Sequence, residues 1–236
     1  MLWGIRTALT NAQDTVDDAF AQQLFKLLVQ LTELRPDPVM WTSLPSVLKE
    51  LVKQKLVSLE SWHQYAIQLF TMFESYDYER EDEKPIEWIQ RAINHPVGDI
   101  FDLYFELAQE NVQAQIKSGE EILIGLEAEH FFSMVLRKYD RGSRYALCLL
   151  AQHFSWIEAV SSNLADLMRP AFVWNKNEER ALVTWSGFLW GGALSKKLTA
   201  EFEDSYLETG KHCTLFARVE KEGLARHVAA TTGLKD

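Results

Sequence analysis

Two Glu-x-x-His sequences carry the chain's most specific chemistry, Glu60-Ser-Trp-His63 and Glu127-Ala-Glu-His130. Residues three apart share a helix face, so each pair can turn a carboxylate and an imidazole toward one metal ion. Two such pairs, with one Glu from each of two further helices, make the di-iron centre of ferritin-like bundles. Chain order permits it: Glu33 or Glu50, then Glu60 and His63, then Glu106 or Glu110, then Glu127 and His130. Against this stand the 22 Glu and six His of the chain, which produce such pairs by coincidence. Glu60 also falls at a helix start, where the macrodipole already favours a carboxylate. A metal-dependent helical-bundle enzyme is therefore the alternative reading, with Glu60, His63, Glu127 and His130 as its ligands.

No other constellation competes. The chain has no His-Glu-x-x-His, no Walker loop and no Gly-x-Gly-x-x-Gly, so no cofactor is expected. Cys148 lies in an apolar run and reads as a small buried hydrophobe. Cys213 follows His212 directly, and neighbours on a helix point apart, so they are not a nucleophile–base pair. His153, between an apolar run and Phe154, reads as a core or boundary residue with one hydrogen bond. Trp41, Trp62, Trp88, Trp156, Trp174, Trp185 and Trp190 read as locks at helix junctions.

The elements that would position these groups are helices. Leu44, Val47, Leu48, Leu51, Val52 and Leu56 recur at the spacing of one apolar helical face. Pro45 fits the first turn. Thr10-x-x-Gln13, Ser61-x-x-Gln64, Ser118-x-x-Glu121 and, more loosely, Asn175-x-x-Glu178 resemble capping boxes. Gly119, Gly142 and Gly210 sit where one pattern gives way to the next. The spacing predicts helices over about 13–34, 44–56, 61–75, 85–93, 97–117, 119–138, 143–153, 155–168, 176–190, 195–208 and 211–230, with no strand. The expected fold is all-α, an antiparallel array of about eleven helices, either a bundle or an irregular α-solenoid. The acidic stretch Tyr76–Lys84 divides it into an N-terminal helical region, 1–84, and a C-terminal domain, 85–236, unless the two form one continuous array.

Composition narrows the partners. Hydrophobic residues are 47% of 236, enough for a substantial core, and the formal charge is −10. Nucleic acid is an unexpected partner for so acidic a chain. The longest apolar runs are about seven residues against the roughly 20 that a span needs, so no membrane is expected. No signal peptide is expected from the pattern of Met1-Leu-Trp-Gly-Ile-Arg6, and the expected location is cytoplasmic.

From residue 94 onward a family pattern stands out. Asn94-His95-Pro96-Val97-Gly98 opens a helix, and Ala151-Gln152-His153-Phe154 follows. Leu167, Pro170, Phe172 and Trp174 precede a charged turn, and Ala181, Trp185, Gly187, Phe188, Leu189, Trp190 and Gly191 come after it. This portion resembles a helical domain found C-terminal to sirtuin-like domains in long bacterial proteins. The resemblance implies antiphage defence, in which a sirtuin-like domain degrades NAD and the helical remainder senses a trigger or holds the assembly. The chain departs from that pattern, since it carries no Gly-rich strand–turn–helix, and NAD hydrolysis is not expected of it alone. The expected function is thus a non-catalytic scaffold or sensor that contacts a protein partner, the remainder of a larger sirtuin-like protein, or a phage protein. Asn94, His95, Pro96, Gly98, Trp174, Trp185, Gly187 and Trp190 are its motif residues. Their structural roles are also plain: Asn94 and His95 cap a helix, Pro96 opens it, and Gly98 and Gly187 let helices approach.

Overall fold

The computed structural model describes residues 18–33, 42–74, 87–138, 141–193 and 196–233. Its α-helices in chain order are α1 (Asp18–Glu33), α2 (Leu44–Lys53), α3 (Leu59–Glu74), α4 (Trp88–Asn94), α5 (Pro96–Ser118), α6 (Leu126–Arg137) and α7 (Arg141–Gln152). They continue with α8 (Phe154–Val160), α9 (Ser162–Met168), α10 (Glu178–Gly191), α11 (Lys196–Glu201), α12 (Glu203–Lys211) and α13 (Arg218–Gly233). Short 3-10 turns cover Arg169–Phe172 and Cys213–Leu215, and no strand occurs among the described residues. The all-α expectation holds. The box at Thr10, Trp41 and the acidic stretch 76–84 lie outside the described residues.

The centre of the fold is α7. From Tyr145 to Ala151 every residue is buried, and α7 packs against α3, α4, α5, α6 and α10. A solenoid brings each unit only its neighbours, so this radial arrangement is a bundle. One contiguous apolar cluster runs from Ala21 to Phe216. Helices on both sides of residue 84 contribute: Phe70 of α3 meets Phe131 of α6 edge-on at 5.3 Å.

The α7–α10 crossing is the closest. A Cβ placed on Gly187 would stand 1.8 Å from the Cys148 carbonyl oxygen, so no other residue fits there without parting the helices. Gly223 of α13 repeats the device, its Cβ position 2.3 Å from the Leu189 carbonyl oxygen. Arg144 of α7 pairs with Glu179 of α10 at 2.8 Å. Arg180 donates to the Leu136 carbonyl at 2.6 Å, satisfying an orphan acceptor at the end of α6. Around Trp185 the packing is aromatic: Phe172, Phe188, Phe202 and Tyr206 surround it, and its indole N–H donates to the Phe172 carbonyl at 3.0 Å.

Several local expectations change. Helix 155–168 is broken at Ser161, whose extended backbone (φ −150°) caps α9 through its hydroxyl. Helix 195–208 is broken at Phe202. Ser118 does not open a helix; it ends α5, and Gly119 takes the left-handed conformation (φ 73°) that closes it. The next helix begins seven residues later than Gly119, at Leu126. Ser61 lies inside α3, and the cap of α10 is Asn177 rather than Asn175, accepting from the Arg180 N–H at 2.9 Å. Gly142 and Gly210 fall inside α7 and α12.

Gly187→Ala should lower the unfolding free energy by about 3 kcal/mol, the upper end of overpacking costs. Gly210→Ala, where an added Cβ meets nothing within 4 Å, should instead stabilise by about 0.5 kcal/mol through helix propensity. Denaturant melts of both variants check the contrast.

Candidate functional site

The residues with the sharpest sequence chemistry do meet, in a different way from a metal centre. Trp62 and His63 stand on the first turns of α3, Tyr104 in the middle of α5, and Glu127 and His130 on the first turns of α6. α5 packs on both α3 and α6, and α3 meets α6 through Phe70–Phe131 and His63–His130. Tyr104 has no exposed surface. Its ring stacks on Phe131 at 4.2 Å and tilts against Trp62 at 4.9 Å.

A buried phenol must place its proton. Burial, with the Glu127 carboxylate adding, pushes the Tyr104 hydroxyl far above its ordinary pKa, so it stays protonated. Its one hydrogen-bond partner among the described residues is His63 Nδ1, at 2.6 Å. Tyr104 therefore donates and His63 Nδ1 accepts. That fixes the tautomer: the proton of neutral His63 sits on Nε2. Nε2 in turn lies 3.1 Å from His130 Nδ1 and donates to it. The chain Tyr104–His63–His130 thus runs from a buried hydroxyl to an exposed imidazole. Burial, and then the neighbouring His130 ring, hold His63 below the ordinary histidine pKa, with Glu127 partly opposing them.

Beside this chain opens a cleft of about 230 Å³, lined by Trp62, Tyr104, Leu107, Ala108, Asn111, Ile124, Gly125, Glu127 and Ala128. Its outer wall is the connection between α5 and α6. Gly125, with φ 89°, ends that connection and caps α6 without a side-chain hydrogen bond.

The four proposed metal ligands do not converge. Glu60 is exposed at the start of α3, outside the histidine pair. Among the described residues no group of three or more His, Cys, Asp or Glu is placed to hold a metal ion. Glu106, one of the two candidate ligands on the third helix of that order, is instead ion-paired with Lys49 at 3.0 Å and Lys53 at 2.5 Å, which clamp α2 onto α5.

The motif residues singled out in the sequence take capping and packing places. His95 is 3% exposed; its Nδ1 accepts the Val97 N–H at 3.2 Å and caps α5. Its ring stacks on Tyr145 at 4.3 Å. Asn94 does not share that cap: it is exposed and donates back to the Gln90 carbonyl at 2.7 Å, closing α4. Pro96 takes the first position of α5, and a Cβ on Gly98 would lie 2.5 Å from the Ala92 carbonyl oxygen. Trp174 donates to Thr209 at 2.8 Å and stacks on His212 at 4.1 Å, while Trp190 is half-buried against the core. Cys148 is buried and Cys213 exposed. His153 stacks on Phe105 at 3.8 Å, makes no side-chain hydrogen bond among the described residues, and is held down to about 4 by burial. The expected hydrogen bond is replaced by ring stacking.

One group escaped the sequence reading. Glu220 of α13 is fully buried, and among the described residues neither carboxylate oxygen meets a partner side chain, the residue's own backbone being the one group that favours its charge. Burial raises its pKa, the Glu87 carboxylate adding to the effect. Its position in the first turn of an amphipathic helix looks like an ordinary dipole partner, so spacing offered no signal.

No family model matches the chain, and no characterised protein and no solved structure matches it either.

Two tests follow from these geometries. Tyr104→Phe keeps the ring and removes the donor that favours neutral His63. The His63 ring proton should titrate below pH 6.5 in the native chain and nearer 6.5 in the variant by NMR, with about 1 kcal/mol of stability lost at pH 7. Because folding lowers the His63 pKa, its share of stability is whole above about pH 6.5 and drains away as pH falls. An unchanged titration would reverse the donor assignment. Glu220 has the opposite sign: its folded pKa is raised, so its penalty is absent at low pH and grows as pH rises through that pKa. Glu220→Met should stabilise by about 1–3 kcal/mol at pH 7, the gain vanishing toward pH 4 in thermal melts.

Proposed function

We propose that this chain is a protein-interaction module that docks a partner on the rim of the α3–α5–α6 cleft. The observation that carries the reading is the run of exposed apolar side chains around that rim. Leu123 is 57% exposed and Leu126 81%, on either side of the cleft-lining Ile124 and Gly125, with Ile122 beside them and Ile116, 53% exposed, in the last turn of α5. A soluble surface scatters such residues singly; gathered beside a cleft they mark a contact site. The rest of the constellation fits binding better than turnover. The Tyr104–His63–His130 chain holds the cleft wall in one geometry, the Tyr104 and His63 donors being taken up within it and the His130 ring facing solvent.

Among the described residues no helix is long and apolar enough to cross a membrane. The likeness of the chain from Asn94 onward to sirtuin-associated helical domains rests on the residues quoted for it. On that likeness the partner is a sirtuin-like NAD-degrading chain, or a phage protein that the module senses in defence.

A photo-crosslinking residue at Leu126 should capture one discrete partner in cells of the source organism, and the same residue at Glu222, on the surface of α13, should not. Leu123→Ser and Leu126→Ser should remove the adduct formed from Ile116 while changing stability by less than about 0.5 kcal/mol. Equal labelling from Leu126 and Glu222 would sink the reading.

A further inference from the structure

The connection between α5 and α6 has the hydrogen-bonding pattern of a strand edge. From Glu120 to Gly125 the chain runs without a turn or bend. The Leu123 N–H donates to Gln115 Oε1 at 2.6 Å, and the Leu123 carbonyl accepts from Asn111 Nδ2 at 2.7 Å. A residue with both peptide groups taken on one side is what a hydrogen-bonded pair looks like in an antiparallel ladder. Here two side-chain amides, one helical turn apart on α5, stand in for the neighbouring strand. Peptide groups of successive residues in an extended chain face opposite sides. Those of Ile122 and Ile124 therefore point away from α5, and they make no hydrogen bond among the described residues.

Unpaired donors and acceptors on a straight apolar segment are a template for another strand. Charge narrows the occupant further. Glu110, Glu120, Glu121, Glu127 and Glu129 flank the segment, against Lys117 as the one Lys or Arg between residues 110 and 130. We infer that Glu120–Gly125 is a docking edge to which a partner protein adds an extended segment, apolar at alternate positions and flanked by Lys or Arg. Backbone pairing to Ile122 and Ile124 supplies affinity, side chains entering the cleft supply register, and the acidic flanks select the partner by charge. This rests on the rim being a docking face and gives that face its occupant. A helical partner would use the rim's apolar side chains and leave these peptide groups unpaired.

The test sorts a random library of peptides about ten residues long, displayed on yeast, with the full-length chain. Enriched peptides are then synthesised with N-methyl groups at alternate residues. The expected result is enrichment of Lys and Arg at the ends. N-methylation in one register should weaken binding at least about tenfold, and in the other register much less. Ile122→Pro removes an N–H that has no internal partner and should weaken binding about as much; the N-methyl series decides the matter if that variant folds poorly. Equal binding of both N-methyl registers, with binding still lost in Leu126→Ser, would overturn strand addition and leave the rim as a docking face. No enrichment, or binding indifferent to Leu126→Ser, would overturn both.

Discussion

The whole bundle depends on one close approach, that of α10 to α7 at Gly187. The Cys148 carbonyl oxygen occupies the space where a side chain would begin, so the two backbones nearly touch and the flanking side chains must interlock. That contact fixes where Trp185 and Phe188 point on one side and where Tyr145 to Ala151 lie on the other. It also makes α7 a buried axis that α3, α5 and α6 pack around. The cleft is built from those three helices, so its geometry is inherited from a glycine on a fourth.

Much of this was legible. Apolar residues at helical spacing located most helices, because burying one face of a helix leaves that period in the sequence. His95-Pro96 and Gly98 were readable as a cap and a close contact, since few residue types satisfy either demand. The breaks at Ser161 and Phe202 were not. A short helix that ends against a neighbour keeps its apolar period across the break, and only the neighbour decides where the chain turns. Ser118-x-x-Glu121 misled for a related reason. The box describes a helix start, but a hydroxyl one residue before a glycine is equally at home at a helix end, where Ser118 bonds back to the Gln115 carbonyl at 3.2 Å.

The histidine pair shows how a correct contact can arise from an incorrect chemistry. The Glu-x-x-His pattern placed His63 and His130 on facing helices, and their rings do meet. The pattern is silent on the third party, a phenol on the helix between them. Once Tyr104 is buried, its hydroxyl needs an acceptor, and His63 Nδ1 is used for that purpose. A metal would need the His63 lone pair that Tyr104 already occupies, or the Nε2 position whose proton goes to His130. The hydrogen-bond demand of one buried hydroxyl thus sets the tautomers of both imidazoles, while Glu60 stays exposed at the start of α3.

The segment Ile122-Leu123-Ile124 poses the sharper contrast with a simple core residue. Three consecutive large aliphatics, two of them isoleucines of high strand propensity, sit between helices, and a helical continuation would have buried some of them on α6. Gly119 and Gly125, both at positive φ, cut the segment free at its two ends, and Asn111 and Gln115 then hold its middle by the backbone rather than by its side chains. Ile124 turns inward, at 5% exposed, while Leu123 remains in solvent. Two side-chain amides hold the N–H and the carbonyl of one residue, and the peptide groups of Ile122 and Ile124 find no partner among the described residues. A loop whose sole task was to join α5 to α6 could have been satisfied by water and polar side chains; one that holds aliphatic residues straight in solvent is arranged to receive something.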